Sequence, residues 1–299
     1  MKILIVGKNS KIAKALIKYI SEMHTDYLAQ FDLISGRGII DPTRFENVDA
    51  VIHVSGMSHT DKGKLKQQQI EEYFRANRDQ VRRTVAYAEQ AGVKHFVYLS
   101  TMMVYGNAVK IGKAFEIHKD TVANPACIYG KSKLAGEEEI QKVIHNSKCG
   151  MTASIIREPV LYGEDYPDGE WNKLFRIAEK IHFFPKIKSE KSYIYQGNLC
   201  ELIYQVLLNS EVATGCKVYC PQDGEKKETY LHYCDMVGCY GNKCKLVRGV
   251  YPFVWLLCKL SGKVSNLMES ITYASEMDDG IPFHYKVFTM KEAMDRIRS

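Results

Sequence analysis

A doubly wound α/β fold, a parallel sheet carrying a smaller C-terminal lobe, is what the sequence predicts, and two observations predict it. Short apolar runs bounded by turn residues alternate with longer amphipathic stretches through the first two thirds of the chain, as βαβ units require. The chain also opens on Lys2-Ile-Leu-Ile-Val6, followed at once by a tight loop, Gly7-Lys-Asn-Ser10, and by Ile12, Leu16, Ile17 and Ile20 at helical spacing.

The remaining elements follow in order. Strands are expected at 32–35, 50–54, 94–100 and 152–157, each a short run rich in apolar residues. Between them, 69–91 reads as one long polar-faced helix and 129–146 as another. Right-handed crossovers then bring the carboxyl ends of the strands to one edge, where ligands bind in open parallel sheets. Past Gly163 the pattern is less regular: helices are expected at 170–180 and 198–209, strands at 191–195 and 217–219, and a buried helix at 250–258. Residues 1–163, completed by about 191–210, form one expected unit, and 164–299 most of the smaller lobe. No internal repeat or low-complexity linker is present.

With 299 residues, 45% hydrophobic and 25% charged, the composition is that of an ordinary globular protein. The net charge of +6 comes from basic residues scattered along the chain, and no nucleic-acid recognition motif accompanies them, so no nucleic-acid partner is expected. The first strand begins at residue 2, which leaves no room for a targeting segment and points to the cytoplasm. The apolar run at 250–258 is interrupted by Pro252 and is too short to span a bilayer, so stable membrane insertion is not expected. The nine cysteines read as reduced thiols. Cys216, Cys220, Cys234, Cys239 and Cys244, with His232 among them, lack the short Cys-x-x-Cys spacing of structural zinc sites, and no metal is expected.

Tyr129 and Lys133 carry the chemistry. Of the 19 tyrosines, Tyr129 alone has a lysine four residues on, which places phenol and ammonium on one helix face. Neither group is a useful base near neutrality, but an adjacent cation favours the phenolate and lowers the phenol's pKa. A solvated helix face would show the same spacing. Upstream, Ser100 and Thr101 end the 94–100 strand at the edge where a ligand would lie, although a strand-ending turn often has this composition. The Gly7-to-Ala13 loop is of the kind that seats a diphosphate on a helix N-terminus. Ser10 and Ala13 stand there in place of two of the usual glycines.

Taken together and in order, these segments resemble the extended short-chain dehydrogenase/reductase family, the NAD-dependent epimerases, dehydratases and reductases of nucleotide sugars. Gly7-x-x-Ser10-x-x-Ala13 resembles its dinucleotide loop and His53-Val54-Ser55-Gly56 the segment that lines the cofactor. Asn77 resembles its helix asparagine, Ser100-Thr101 through Val104-Tyr105-Gly106 its catalytic Ser/Thr strand, and Asn124-Pro125 through Tyr129 and Lys133 its Tyr/Lys segment. Arg157-Glu-Pro159 through Tyr162-Gly163 resembles the stretch leading to the substrate half.

The resemblance implies a Rossmann-type fold, with Gly7, Ser10, Lys11, Ile12, Val54, Ser55, Gly56, Asn77, Ser100, Tyr129 and Lys133 meeting NAD or NADP(H). It implies Tyr129 as acid/base, Lys133 as the cation that acidifies it, and Thr101 as a hydrogen-bond partner of the reacting oxygen. Met102 and Met103 stand where dehydrating relatives have an acidic pair; thioethers do no acid/base work, so 4-epimerisation or 4-keto reduction is expected, with both methionines lining a sugar pocket or simply packing. Lys191, in the basic-residue strand, is implied to meet a substrate phosphate, with a solvated lysine as the alternative, and Asn172 is a further substrate-facing candidate. Where an acidic residue would hold a ribose hydroxyl, Ser35-Gly-Arg37 lies instead; Arg37 inclines the choice toward NADP(H), and Asp41 is placed on the adenine side. The expected partner is a nucleotide-diphosphate sugar, in cell-surface polysaccharide assembly, with a homodimer paired through the long helices. A catalytically silent dinucleotide-binding sensor or scaffold is the alternative.

Overall fold

Burial on both faces explains the first strand. In the computed structural model, which describes residues 1–58, 65–106, 108–210, 214–224 and 226–299, β1 (Lys2–Val6) runs parallel to β2 (Gln30–Ile34) on one side and β3 (Ala50–His53) on the other. With β4 (His95–Thr101), β6 (Thr152–Glu158) and β10 (Cys216–Tyr219) these form one six-stranded parallel sheet in the order β10-β6-β4-β3-β1-β2.

Period-two alternation divides the strand residues between two cores. Ile3, Ile5, Ile52, Val97 and Ile156 face α1 (Lys11–Met23) and α6 (Gln196–Leu208). Leu4, Val6, Val51, Phe96 and Ile155 face α3 (Gln80–Gln90) and α4 (Ile128–His145). The sheet is therefore doubly wound. Its closing helix and its sixth strand come from beyond residue 190, later in the chain than the sheet's other elements.

The expected single helix over 69–91 is in fact three segments: α2 (Gln67–Phe74), a π turn at Arg75–Asp79, and α3. The π turn carries Asn77, whose Oδ1 accepts from Met57 N at 2.8 Å and whose Nδ2 donates to Met57 O and to Ser132 Oγ. Single π turns of this kind occur within α-helices, frequently at functional sites.

A second group of elements, apart from that sheet, is built from short pieces. Parallel pairs join β5 (Glu116–Ile117) to β12 (Thr272–Tyr273), β7 (Val160–Tyr162) to β9 (Tyr193–Tyr195), and β8 (Phe183–Pro185) to β11 (Lys245–Val247). Helices α5 (Glu170–Ala178), α7 (Thr229–Cys239), α8 (Tyr251–Leu260), α9 (Gly262–Met268), α10 (Ser275–Asp279) and α11 (Met290–Arg298) complete it. Its core is aromatic, centred on Tyr162, Trp171, Phe175, Tyr193 and Tyr233. The 250–258 run forms a helix as expected but not a buried one: Val254 alone among the residues of α8 is fully buried. Apolar composition predicts burial only where a neighbour exists to cover it.

Candidate active site

A cleft of about 430 Å³ opens along the carboxyl ends of β1, β3, β4 and β6. At one end lies the loop into α1, at the other the start of α4.

The loop end is shaped by Gly7. Its φ of +134° is a conformation that side chains resist, and a Cβ there would stand 2.9 Å from Ser55 N. Gly7 N and Lys8 N both donate to Ile34 O, and Ser10 N donates back to Gly7 O at 2.8 Å, so the chain turns sharply before α1 begins. Ser10 is the N-cap of α1, yet its side chain makes no capping bond. Gly7, Ser10, Lys11 and Ile12 all line the cleft, as do Val54, Ser55, Gly56 and Arg37. Lys8, Asn9, Ser35 and Gly36 join them.

At the other end, Cys127 caps α4 by accepting from Gly130 N. Gly130 permits the approach that follows, because a Cβ there would lie 2.4 Å from Met103 O. That contact docks α4 against the 3₁₀ turn Met102–Val104 at the end of β4 and sets Tyr129 near Thr101, whose side chain lowers the phenol's pKa. Thr101 Oγ1 also accepts from Met103 N at 3.3 Å. Lys133 donates to Leu99 O at 2.8 Å, with its ammonium 4.8 Å from the Tyr98 ring centroid. Tyr129 and Lys133 both line the cleft.

The electrostatics differ from the sequence expectation. Burial holds the Tyr129 phenol well above its ordinary pKa, the Glu158 carboxylate raises it further, and the Thr101 hydrogen bond pulls it down. Burial lowers the Lys133 ammonium, opposed by Glu158 and Glu137. Tyr129 therefore rests protonated near neutral pH.

Glu158 is the residue that sequence reasoning missed. It lines the cleft, its Oε2 is buried without a hydrogen-bond partner among the described residues, and burial raises its carboxyl above the usual range while Lys133 lowers it. The β4–β6 register sets Glu158 directly beside Thr101. Tyr166 also borders the cleft, with Lys11 5.6 Å from its ring centroid. Glu158 could be found only from that register, and Tyr166 only from the path of the loop after β7.

Several expected residues lie elsewhere. Ser100 points to the opposite face of the sheet from Thr101, as successive strand residues must, and donates to Glu137 Oε1 at 2.5 Å; Glu137 is in turn bound by Arg157 at 2.6 Å. Asn77 does not line the cleft; it ties the segment after β3 to α4. Met102 packs with Val104, Ile117 and Tyr273 in a separate apolar cluster, Met103 borders that cluster, and neither lines the cleft. Asp41 accepts from Thr43 N as the cap of a short 3₁₀ helix, which holds its carboxyl below the ordinary range, and it too is off the cleft. Asn172 is buried, donating to Gly163 O at 2.8 Å. Lys191 is neither solvated nor in the cleft: only 7% exposed, it donates to Glu170 Oε1 at 2.5 Å and to Asn266 O at 2.6 Å, clamping β9's approach to α5 and α9. Among the described residues no three His, Cys, Asp or Glu side chains converge on a metal position, and no helix is long and apolar enough to cross a membrane.

Residues 1–183 match the sequence profile of the RmlD substrate binding domain family. The N-acetyl-α-D-glucosaminyl-diphospho-ditrans,octacis-undecaprenol 4-epimerase of Escherichia coli O157:H7 is 32% identical over 148 residues, which are 49% of this chain and 43% of that one. The match to a UDP-glucose 4-epimerase of Vibrio cholerae, 25% identical, covers 62% of this chain and 55% of that one, so the chain spans about half the length of the curated relatives it matches. In fold, it resembles UDP-N-acetylglucosamine 4-epimerase from Bacillus cereus, with a TM-score of 0.74 at 16% identity over 99% of this chain and 98% of that one. With more than half its length matched by the profile, and with the Rossmann-type sheet and the cleft in place, the chain belongs to the RmlD substrate binding domain family, within the extended short-chain dehydrogenases/reductases.

Proposed function

We propose that the protein is an NAD(P)-dependent nucleotide-sugar 4-epimerase or 4-keto-sugar reductase. The observation that carries this reading is that Tyr129 and Lys133 line the same cleft as the N-terminus of α1, with the Thr101 side chain acting on the phenol. The cleft fits a dinucleotide: Gly7 lets the loop close against Ser55, Ser10 lines the cleft without a capping bond, and the first backbone N–H groups of α1 stand free of intrahelical partners for a diphosphate. A bound nicotinamide supplies hydride transfer to or from a sugar carbon.

The chain's own residues manage the proton. Tyr129 holds it at the phenolic oxygen, Thr101 orients that oxygen, and Lys133, fixed by the Leu99 carbonyl, keeps a positive charge beside the site. A phenol protonated at rest is ready to give its proton to a sugar 4-keto oxygen. In oxidation it must first lose that proton, and Glu158 opposes the loss. Glu158→Gln removes the carboxylate that disfavours the phenolate, so the alkaline rise in sugar oxidation is expected to move down by about one pH unit. The pH dependence of kcat/KM measures it, and an unmoved limb would mean that burial alone sets the phenol.

Arg37 lies exposed in the cleft just past β2, and the nearest acidic residue on that strand, Asp32, is held by Arg44. This supports a preference for NADP(H), whose 2′-phosphate an arginine would meet. Arg37→Ala is expected to weaken NADPH binding by about tenfold and leave NADH unchanged, as titration of each nucleotide would reveal.

The proposed substrate is a nucleotide-diphosphate sugar. Incubation with a panel of UDP- and dTDP-hexoses and their 4-keto forms tests the whole reading: product without net nicotinamide change identifies an epimerase, net oxidation or reduction identifies a reductase. Stoichiometric nicotinamide binding with no turnover on any of them would leave a silent binding protein in its place.

A further inference from the structure

Helix α8 turns an apolar side to solvent. Phe253 is 63% exposed, Leu256 49%, Leu260 76% and Trp255 43%. At 100° per residue these four and Pro252 share one continuous side of the helix, opposite Val254 and Cys258, which seat it on the aromatic core. The one charged residue on that side is Lys259, whose ammonium lies 3.7 Å from the Trp255 ring centroid. Phe183, also exposed, stands on β8 beside Lys245 of β11.

The exposed charge along this stretch of sequence is basic, and Glu269 lies at its end, close enough to act on Cys258 of α8. From Met236 to Met268 the sequence contains no Asp or Glu, while Lys243, Lys245, Arg248 and Lys259 are all exposed. The Tyr251 hydroxyl packs over Gly112, which brings the exposed Lys110 and Lys113 to the border of the same face. The acidic residues that flank the stretch, Asp235 and Glu269, are engaged by Lys227 and Ser265.

We propose that α8 is a docking helix that seats this protein on an anionic phospholipid surface, with its aromatic and leucine side in the headgroup region and the lysines around it against lipid phosphates. Contiguous exposed apolar surface marks an interaction site, and Trp, Tyr and Phe rimmed by lysine fit the boundary between water and acyl chains. A protein partner of mixed charge would leave the basic stretch unexplained; a negatively charged leaflet matches it. The helix lies on the bilayer and does not enter it, being ten residues long.

The test uses the full chain and two vesicle types, phosphatidylcholine alone and phosphatidylcholine mixed with phosphatidylglycerol. Co-sedimentation with the mixed vesicles is expected, together with a blue shift of tryptophan emission. Trp171, the second tryptophan, is buried, so the shift reports Trp255 and Trp255→Phe removes it. The double variant Phe253→Ser/Leu260→Ser is expected to weaken partitioning by at least about tenfold, and Lys259→Glu to weaken it on the anionic vesicles only. Both changes are at solvent-facing positions, and unchanged circular dichroism verifies that the chain still folds. Absence of sedimentation with either vesicle overturns the proposal. So does a dimer of the wild type that the double variant converts to monomer, since a second copy would then cover the face. Neither readout depends on catalysis.

Discussion

Tyr129→Phe is expected to lower turnover by about 10²–10⁴-fold while leaving dinucleotide affinity unchanged. The substitution removes one oxygen, the atom on which Thr101 acts, and keeps the ring that packs edge-on to Tyr73 at 6.5 Å. The start of α4 is held by Cys127, by the Gly130 contact with Met103 O, and by Ser132 through Asn77, none of which involves the phenol. Loss of activity with retained fold and retained nucleotide binding therefore isolates the proton-transfer role. Steady-state kinetics beside nucleotide titration gives both numbers. A variant that keeps near-wild-type turnover would remove Tyr129 from the chemistry, and with it the proposed function.

How much of this site was readable in the sequence depends on how far apart its parts lie along the chain. Tyr129 and Lys133 were legible because an i, i+4 pair is a statement about one helix, and the helix formed. The Gly7 loop was legible for the same reason, being a single strand-turn-helix unit. Thr101 was placed by its position at a strand end. Glu158 was not, because its significance comes from a register between β4 and β6 that pairs positions 57 residues apart, and no local pattern encodes a register.

The misplacement of Ser100 and Met102 has a second cause: which way a side chain points at the end of a strand depends on where the strand stops. β4 runs one residue further than expected, through Thr101, so Ser100 keeps strand alternation and faces Glu137, and the 3₁₀ turn then carries Met102 into an apolar cluster. Lys191 reads as a surface cation until its partners, Glu170 and the carbonyl of Asn266, are brought to it from elements 21 and 75 residues away. A lysine so buried is tolerated only because it is paired and hydrogen-bonded.

Gly7→Ala is expected to weaken dinucleotide binding by about 10–100-fold, because the alternatives open to the loop all damage the cradle. Keeping φ at +134° costs about 1–3 kcal/mol for a residue with a side chain. It also leaves the new methyl 2.9 Å from Ser55 N, closer than backbone and carbon atoms can sit. Relieving both means swinging the loop away from Ser55, which breaks the paired bonds from Gly7 N and Lys8 N to Ile34 O and moves the first turn of α1. That turn is where a diphosphate would be held, so the strain is converted into lost affinity. Gly38→Ala separates the two effects: Gly38 also has a positive φ, +82°, but nothing lies within 4 Å of its Cβ position and it does not line the cleft. The control should lose a little thermal stability and bind dinucleotide as the wild type does. Equal loss of binding in both variants would mean that backbone strain, not the close approach of β3 to the loop, explains the effect, and the cleft around Gly7 would not be the diphosphate site.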